Sequence, residues 1–308
     1  MGGTRYSGII ILVLLGFLGS IKGQLVLGFY SKNCPRAEKI IHDFVNMQIH
    51  NAPTLAAAFI RMHFNDCFIR GCDASVLLNS TSNNQAEKDA LPNLSLRGFE
   101  FVDRVKSLVE AECPGIVSCA DIIALVTRDS IVATGGPFWR VPTGRRDGTI
   151  SNSTEALNNI PPTFGNLTTL QKQFSKRGLD LNDLVLLSGA HTIGVSHCSS
   201  FSNCLYNFTG VGDQDPALDS KYAANLKTNK CRNPNDNTTK LLQRRGLFES
   251  DAALITNPTT KSFVTQLLQG PLQNFYDKFT KSMEKMGRIN VKTGSTGEIR
   301  KQCAMVNS

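Results

Sequence analysis

The chain has 308 residues, enough for one large domain or two small ones with a sizeable core. Its formal charge is +8, yet the Lys and Arg residues are scattered and no basic run is interleaved with aromatics, which excludes a nucleic-acid-binding protein. Beyond residue 23 no stretch is long and apolar enough to be a membrane helix, which excludes a helical span there.

The first 23 residues have the pattern of a secretory signal: Arg5 in a basic start, an apolar run over 9–18, and the small residues Gly19, Ser20 and Gly23 before a cut ahead of Gln24. The apolar run is short for a span. These residues carry Arg5 and Lys22 and no acid, so without them the formal charge falls from +8 to +6. A secreted protein of that charge suits adhesion to polyanions such as acidic wall polysaccharide.

Residues 35–50 repeat apolar positions at helical spacing (Ile40, Ile41, Phe44, Val45), with Pro35 in the first turn. A second helix starts near Thr54, carrying Phe59 and Met62 inward. Arg61 and Asn65 lie four apart and share one face of it, while His63 points elsewhere. The helix runs into an oxygen-rich turn with Asp66, Gly71, Asp73 and Ser75, a composition suited to a hard cation such as Ca²⁺. Residues 80–93 are polar and turn-like. Phe99, Val102, Val105 and Leu108 mark another amphipathic helix, ending before Pro114-Gly115. Residues 119–133 are apolar almost throughout, a buried central helix that Gly135-Gly136-Pro137 stops. Residues 139–147 and the Ser/Asn-rich stretch after them read as irregular loop. Short helices follow at 170–174 and 181–187, and longer ones at 260–268 and 272–286. Strand signals are nearly absent, and there are no repeats and no flexible linker. The fold class is mainly α, with one domain over 24–308.

Nine cysteines and six Asn-x-Ser/Thr sequons fit an oxidising, secretory compartment. The sequons are at Asn79, Asn93, Asn152, Asn166, Asn207 and Asn237. Eight cysteines admit on the order of a hundred pairings, so spacing alone leaves the connectivity open.

Two motifs carry a family resemblance. The stretch Arg61-Met62-His63-Phe64-Asn65-Asp66-Cys67-Phe68, continuing to Gly71-Cys72-Asp73-Ala74-Ser75, resembles the distal helix of the secreted plant haem peroxidases (class III), whose pattern is R-x-H-F-H-D-C-F-x-x-G-C-D-A-S. Leu187-Ser188-Gly189-Ala190-His191-Thr192-Ile193-Gly194 resembles their proximal haem motif. Outside these motifs Arg61 is an ordinary surface arginine, His191 a loop histidine, and the acidic turn an ordinary turn. The resemblance runs from Gln24 to the C-terminus and implies two helical lobes sandwiching haem b.

The resemblance assigns roles residue by residue. His191 is the axial iron ligand, and Asp251 accepts its second ring N–H. Arg61 stabilises the anionic oxygen that develops as the peroxide O–O bond breaks. Asn93 orients the distal base, and Pro161 lies near the aromatic-donor site. Asp66, Asp73 and Ser75, with the carbonyls of Ile69 and Gly71, form a distal calcium site, with Glu87 holding a calcium-bound water. Asp121 and Arg145 form a buried ion pair with a structural role. The disulfides are Cys34–Cys113, Cys67–Cys72, Cys119–Cys303 and Cys198–Cys231. Cys204 is left free at a position where the family carries arginine.

Three departures matter. Asn65 occupies the position of the catalytic distal histidine, and an amide has no pKa suited to moving a proton near neutrality. Cys204 is the second departure. The third is a missing segment between Cys231 and Gly246, which leaves Thr192 as the remnant of a proximal calcium site with Asp236 as the only acidic candidate, and which threatens the His191–Asp251 contact. One calcium is therefore expected, not two. The resemblance implies a monomeric peroxidase that reduces H₂O₂ and oxidises phenolic donors one electron at a time, impaired by Asn65. The alternatives are a catalytically inactive secreted protein that binds haem or wall, and a defective splice product. The destination is the cell wall or the vacuole.

Overall fold

The most apolar stretch of the sequence is the helix the others pack around. In the computed structural model, which describes residues 24–216, 218–233, 239–241 and 248–307, residues 119–131 are buried without a break. Twelve α-helices are present among the described residues. They are α1 (Ala37–Ile49), α2 (Leu55–Ile69), α3 (Phe99–Glu112), α4 (Cys119–Ala133), α5 (Ser153–Asn159) and α6 (Leu167–Ser175), followed by α7 (Leu181–Ser188), α8 (Ser202–Tyr206), α9 (Ser220–Asn225), α10 (Glu249–Thr256), α11 (Pro258–Gln269) and α12 (Leu272–Met286). Helices α1, α2 and α3 pack on α4, and α11 and α12 pack on α7. One hydrophobic core runs through both groups, and a smaller one gathers Phe201, Leu205, Tyr222, Leu226 and Phe248.

Helix boundaries follow local chemistry. Ser118 caps α4, its hydroxyl accepting from Asp121 N at 3.1 Å. Gly135 ends α4 in the left-handed region (φ 88°), where a side chain would be strained, and Gly135 N and Gly136 N close on the Val132 and Ile131 carbonyls. Asp180 and Asp183 cap α7 reciprocally, each carboxylate taking the other's backbone N–H at 2.9 Å.

Four disulfides staple this frame: Cys34–Cys113, Cys67–Cys72, Cys119–Cys303 and Cys198–Cys231, with Cys204 buried and unpaired in any disulfide. The first joins the start of α1 to the end of α3, and the third ties α4 to the C-terminus. The Asp121–Arg145 ion pair is present at 2.7 Å and fully buried. Asp121 also accepts from Tyr30 OH at 2.6 Å and Gly144 N at 2.7 Å. Breaking such a pair from one side costs about 3–5 kcal/mol.

The structure corrects the sequence reading in four places. The Ser/Asn-rich stretch is not all loop, because α5 forms there, with Asn152 accepting from Glu155 N at 3.1 Å. Pro35 precedes α1, which begins at Ala37 behind Arg36. The eight residues of α10 form a helix that periodicity did not mark. A short antiparallel pair joins β1 (Val195–His197) to β2 (Thr239–Leu241), with Ser196 opposite Lys240. The leader at 1–23, Asp236, Asn237 and Gly246 lie outside the described residues.

Candidate active site

Helix α2 delivers both distal side chains to one loop. Asn65 is buried and its Nδ2 donates to Asn93 Oδ1 at 2.7 Å. Asn93 is equally buried and passes its own Nδ2 to the Glu87 carbonyl at 2.8 Å. Arg61, one turn earlier, donates to Ser95 Oγ at 2.9 Å and to the Pro92 carbonyl. The shared face of Arg61 and Asn65 therefore meets the 92–95 loop. Pro92 and Ser95, which hold Arg61, were not singled out from the sequence; no local pattern marks them. Phe64, between the two, stacks on Phe68 with ring centroids 4.0 Å apart.

His63 faces away, as the helical spacing requires. It is buried, with Nδ1 3.7 Å from Cys67 Sγ, and borders a cavity of about 10 Å³ with Trp139 and Arg145. Burial, and then the Arg145 charge, push its pKa down to about 3, so it is neutral at ordinary pH.

His191 follows α7 in a short 3₁₀ turn, Gly189–Thr192. Its Nδ1 lies 2.7 Å from Asp251 Oδ1. A carboxylate only accepts, so Nδ1 carries the proton toward Asp251, and in the neutral ring that leaves the Nε2 lone pair free. Asp251 is fixed in turn by Phe248 N on its other oxygen at 3.2 Å. The His191–Asp251 contact that the missing segment was expected to threaten is thus present. The imidazole opens on a cleft of about 1020 Å³ walled by Ile60, Pro137, Val185, Phe275 and Phe279. That is at the upper end of the roughly 300–1,000 Å³ of cofactor sites. An apolar wall with one imidazole backed by a carboxylate fits a haem. Arg61, Asn65 and Pro161 do not line this cleft. Pro161 is half-buried in the 160–166 loop, which Ser250 N ties to α10 through the Thr163 carbonyl at 2.9 Å.

The oxygen-rich turn closes on itself. Asp66, in the last turn of α2, accepts from Ala74 N at 3.0 Å, and Asp73 Oδ1 from Ser75 N at 3.1 Å. Ser75 Oγ and both carboxylate oxygens of Glu87 are buried without a hydrogen-bond partner. Burial and then Asp66 push Glu87 up to about 9, and burial and then Asp73 push Asp66 well up. Buried acids that raise one another, beside orphaned oxygens, are the environment a hard cation relieves. No three His, Cys, Asp or Glu side chains converge on one point among the described residues. A donor set there would be two aspartates, a hydroxyl and carbonyls. The Ile69 carbonyl accepts from Arg177 Nη2 at 3.0 Å and retains one lone pair. Lys292 Nζ stands 2.9 Å from Asp73 Oδ2, a contact invisible in the sequence.

Among the described residues Thr192 is part of no comparable site. Its hydroxyl donates to the Gly189 carbonyl at 2.9 Å. Cys204 is buried, and burial followed by the charges of Asp215 and Glu249 pushes its thiol up to about 11. Among the sequons Asn79, Asn166 and Asn207 are exposed and Asn152 is half-buried, whereas Asn93 is closed off by the bonds described above.

A helical frame with a carboxylate-backed histidine on a large apolar cleft, and an arginine–amide pair on a disulfide-closed distal helix, is the architecture of a haem-dependent oxidoreductase. A family model described as Peroxidase matches residues 41–270. Peroxidase 3 of Arabidopsis thaliana is 62% identical over 313 residues, covering 96% of this chain and 96% of that protein. Peroxidase 39 of Arabidopsis thaliana is 62% identical over 318 residues, covering 97% and 98%. Peroxidase 1 of Oryza sativa subsp. japonica is 48% identical over 306 residues, covering 92% and 93%. The chain belongs to the peroxidase family as a plant haem peroxidase, an oxidoreductase of hydrogen peroxide and reducing donors. Haem and calcium are the groups of that family. The alignment with Peroxidase 3 spans 313 positions against 96% of 308 residues here, so that relative carries residues this chain lacks.

Proposed function

We propose that this peroxidase reduces H₂O₂ slowly because Asn65 stands where the reaction needs an acid–base. The observation that carries the reading is the 2.7 Å bond from Asn65 Nδ2 to Asn93 Oδ1. Asn93 presents an acceptor that would orient an imidazole through its N–H, and an amide fills the place. The amide donates that hydrogen bond but neither takes a proton from peroxide nor returns it to the leaving oxygen. Losing a general acid–base costs about 10²–10⁴ in rate. Arg61, which here donates to Ser95 and Pro92 and does not line the cleft, would supply a fixed positive charge to the developing anion on turning toward it.

His191 is the residue that would hold haem b through Nε2, with Asp251 keeping the tautomer. When bound, haem supplies the redox centre at which peroxide is reduced and donors are oxidised. Small phenolics are the donor class. Asp66, Asp73, Ser75 and the carbonyls of Ile69 and Gly71 would hold a single Ca²⁺, with Glu87 through water; Thr192 alone holds none. The chain acts as a monomer, exported to the wall or vacuole, where its basic surface meets acidic polysaccharide.

Haem titration of the purified protein tests the frame of this reading. The wild type should take up one haem with a histidine-ligated spectrum, and His191→Ala should lose that spectrum. Asp251→Asn should weaken haem binding by about 10–100-fold, the usual effect of removing a ligand's hydrogen-bond partner. An unchanged spectrum in His191→Ala would sink the assignment.

A further inference from the structure

Lys292 sits where no sequence pattern places it. The backbone anchors it, because Arg146 N donates to the Lys292 carbonyl at 2.8 Å in an isolated antiparallel bridge. From that anchor the ammonium reaches Asp73 Oδ2 at 2.9 Å, an ion pair outside hydrogen-bond geometry. Asp73 is 1% exposed at its side chain and Lys292 27%, so the pair lies at the rim of the distal turn, with the acid inside and the lysine reaching in from solvent. The same segment closes over the acid at Gly148, whose N–H donates to the Asp73 carbonyl at 2.7 Å. A Cβ at residue 148 would fall 2.3 Å from Asp73 Oδ2, so only glycine lets the chain pass this close.

The turn behind Asp73 is crowded with carboxyl groups. Asp66, Asp73 and Glu87 are all buried, and both Glu87 carboxylate oxygens and Ser75 Oγ lack a hydrogen-bond partner. Arg300 is also buried there, but it is committed to the carbonyls of Ala74 and Cys303 at 2.7 and 2.8 Å. Among the described residues Lys292 is the cation that pairs with a carboxylate of the turn.

We propose that Lys292 is a built-in counter-ion of the distal calcium loop, which lowers the loop's affinity for Ca²⁺ and steadies the loop when calcium is scarce. The inference rests on the reading of residues 66–75 as a calcium site. A fixed ammonium on one oxygen of a ligand carboxylate places a like charge within a few ångströms of the incoming cation. At the effective dielectric of a protein rim that repulsion changes affinity by about 10-fold or more. Without calcium the same ammonium pairs with the Asp73 carboxylate, where the buried acids crowd one another. Lys292 thus trades tight binding for a loop that stays folded across a range of calcium levels.

The test is Ca²⁺ titration of chelator-stripped protein against a competing chromophoric chelator, for the wild type, Lys292→Met and Lys292→Arg. Lys292→Met should bind Ca²⁺ about 10-fold tighter or more, and Lys292→Arg should match the wild type. In chelator the thermal midpoint of Lys292→Met should lie below that of the wild type, and saturating Ca²⁺ should close or reverse the gap. If Lys292→Met does not fold, Lys292→Gln replaces it. Equal or weaker Ca²⁺ binding by the neutral variant overturns the role of Lys292 while leaving the site. A folded wild type that binds no Ca²⁺ overturns the calcium reading itself, and this inference with it.

Discussion

Replacing Asn93 by alanine removes the joint between the distal helix and the turn at Glu87. Asn93 is 1% exposed and makes two bonds: it accepts from Asn65 at 2.7 Å and donates to the Glu87 carbonyl at 2.8 Å. Alanine leaves a buried N–H of Asn65 without its partner, while the Glu87 carbonyl keeps Ala90 N at 3.1 Å. The orphaned N–H costs about 1–3 kcal/mol, so the variant should lose about that much. Urea unfolding of the wild type and the variant in the same buffer measures this. A cycle with Asn65→Ala isolates the shared bond. Removing the donor should make removal of the acceptor cheaper, with a coupling of about 0.5–3 kcal/mol. A loss under 1 kcal/mol in Asn93→Ala, or no coupling in the cycle, would show that the two amides do not hold one another, and the reasoning that Asn93 is ready to orient a side chain at position 65 would fail.

Two further outcomes follow from buried titratable groups. His63 has its folded pKa depressed to about 3 against an ordinary 6.5, so below pH 6.5 the unfolded chain binds a proton that the folded protein refuses. Its contribution is fully present above pH 6.5 and is lost as pH falls toward 3, at about 1.4 kcal/mol per pH unit; His63→Gln should flatten the acid limb of a stability–pH profile, and an unchanged limb would refute the assignment. Cys204, buried with its thiol pushed up to about 11, should react with a thiol reagent slowly in the folded protein and as the only free thiol after denaturation; peptide mapping that finds Cys198 or Cys231 labelled would show that Cys204 has captured a native partner.

What the sequence made legible is what local pattern controls. Helix α4 could be read because its residues are apolar on every side, and α2 because Phe59 and Met62 repeat at helical spacing against a polar Arg61–Asn65 face. Helix α5 escaped because it buries only Ala156; its signal was the cap, Asn152 followed three residues later by Glu155. The β1–β2 pair joins residues more than forty apart, and short strands carry no period to count. The site divides in the same way. His191, Asp251, Arg61 and the 66–75 turn stand in contiguous motifs, whereas Pro92, Ser95, Arg177 and Lys292 act on the site through long-range contacts. The disulfide pairing came from the resemblance, since spacing alone left it open.

The central claim is that Asn65 limits the reaction with peroxide on an otherwise prepared scaffold. Stopped-flow mixing of haem-loaded wild type and Asn65→His with H₂O₂, following the resting haem spectrum, tests it most directly. Asn93 already offers its Oδ1 at the place where Asn65 now donates, so a histidine there should be oriented on arrival. The histidine variant should react about 10²-fold faster or more than the wild type, the range for restoring a general acid–base. Equal, slow reaction of two haem-holding proteins would place the limit elsewhere than Asn65, and a fast wild type would contradict the claim outright.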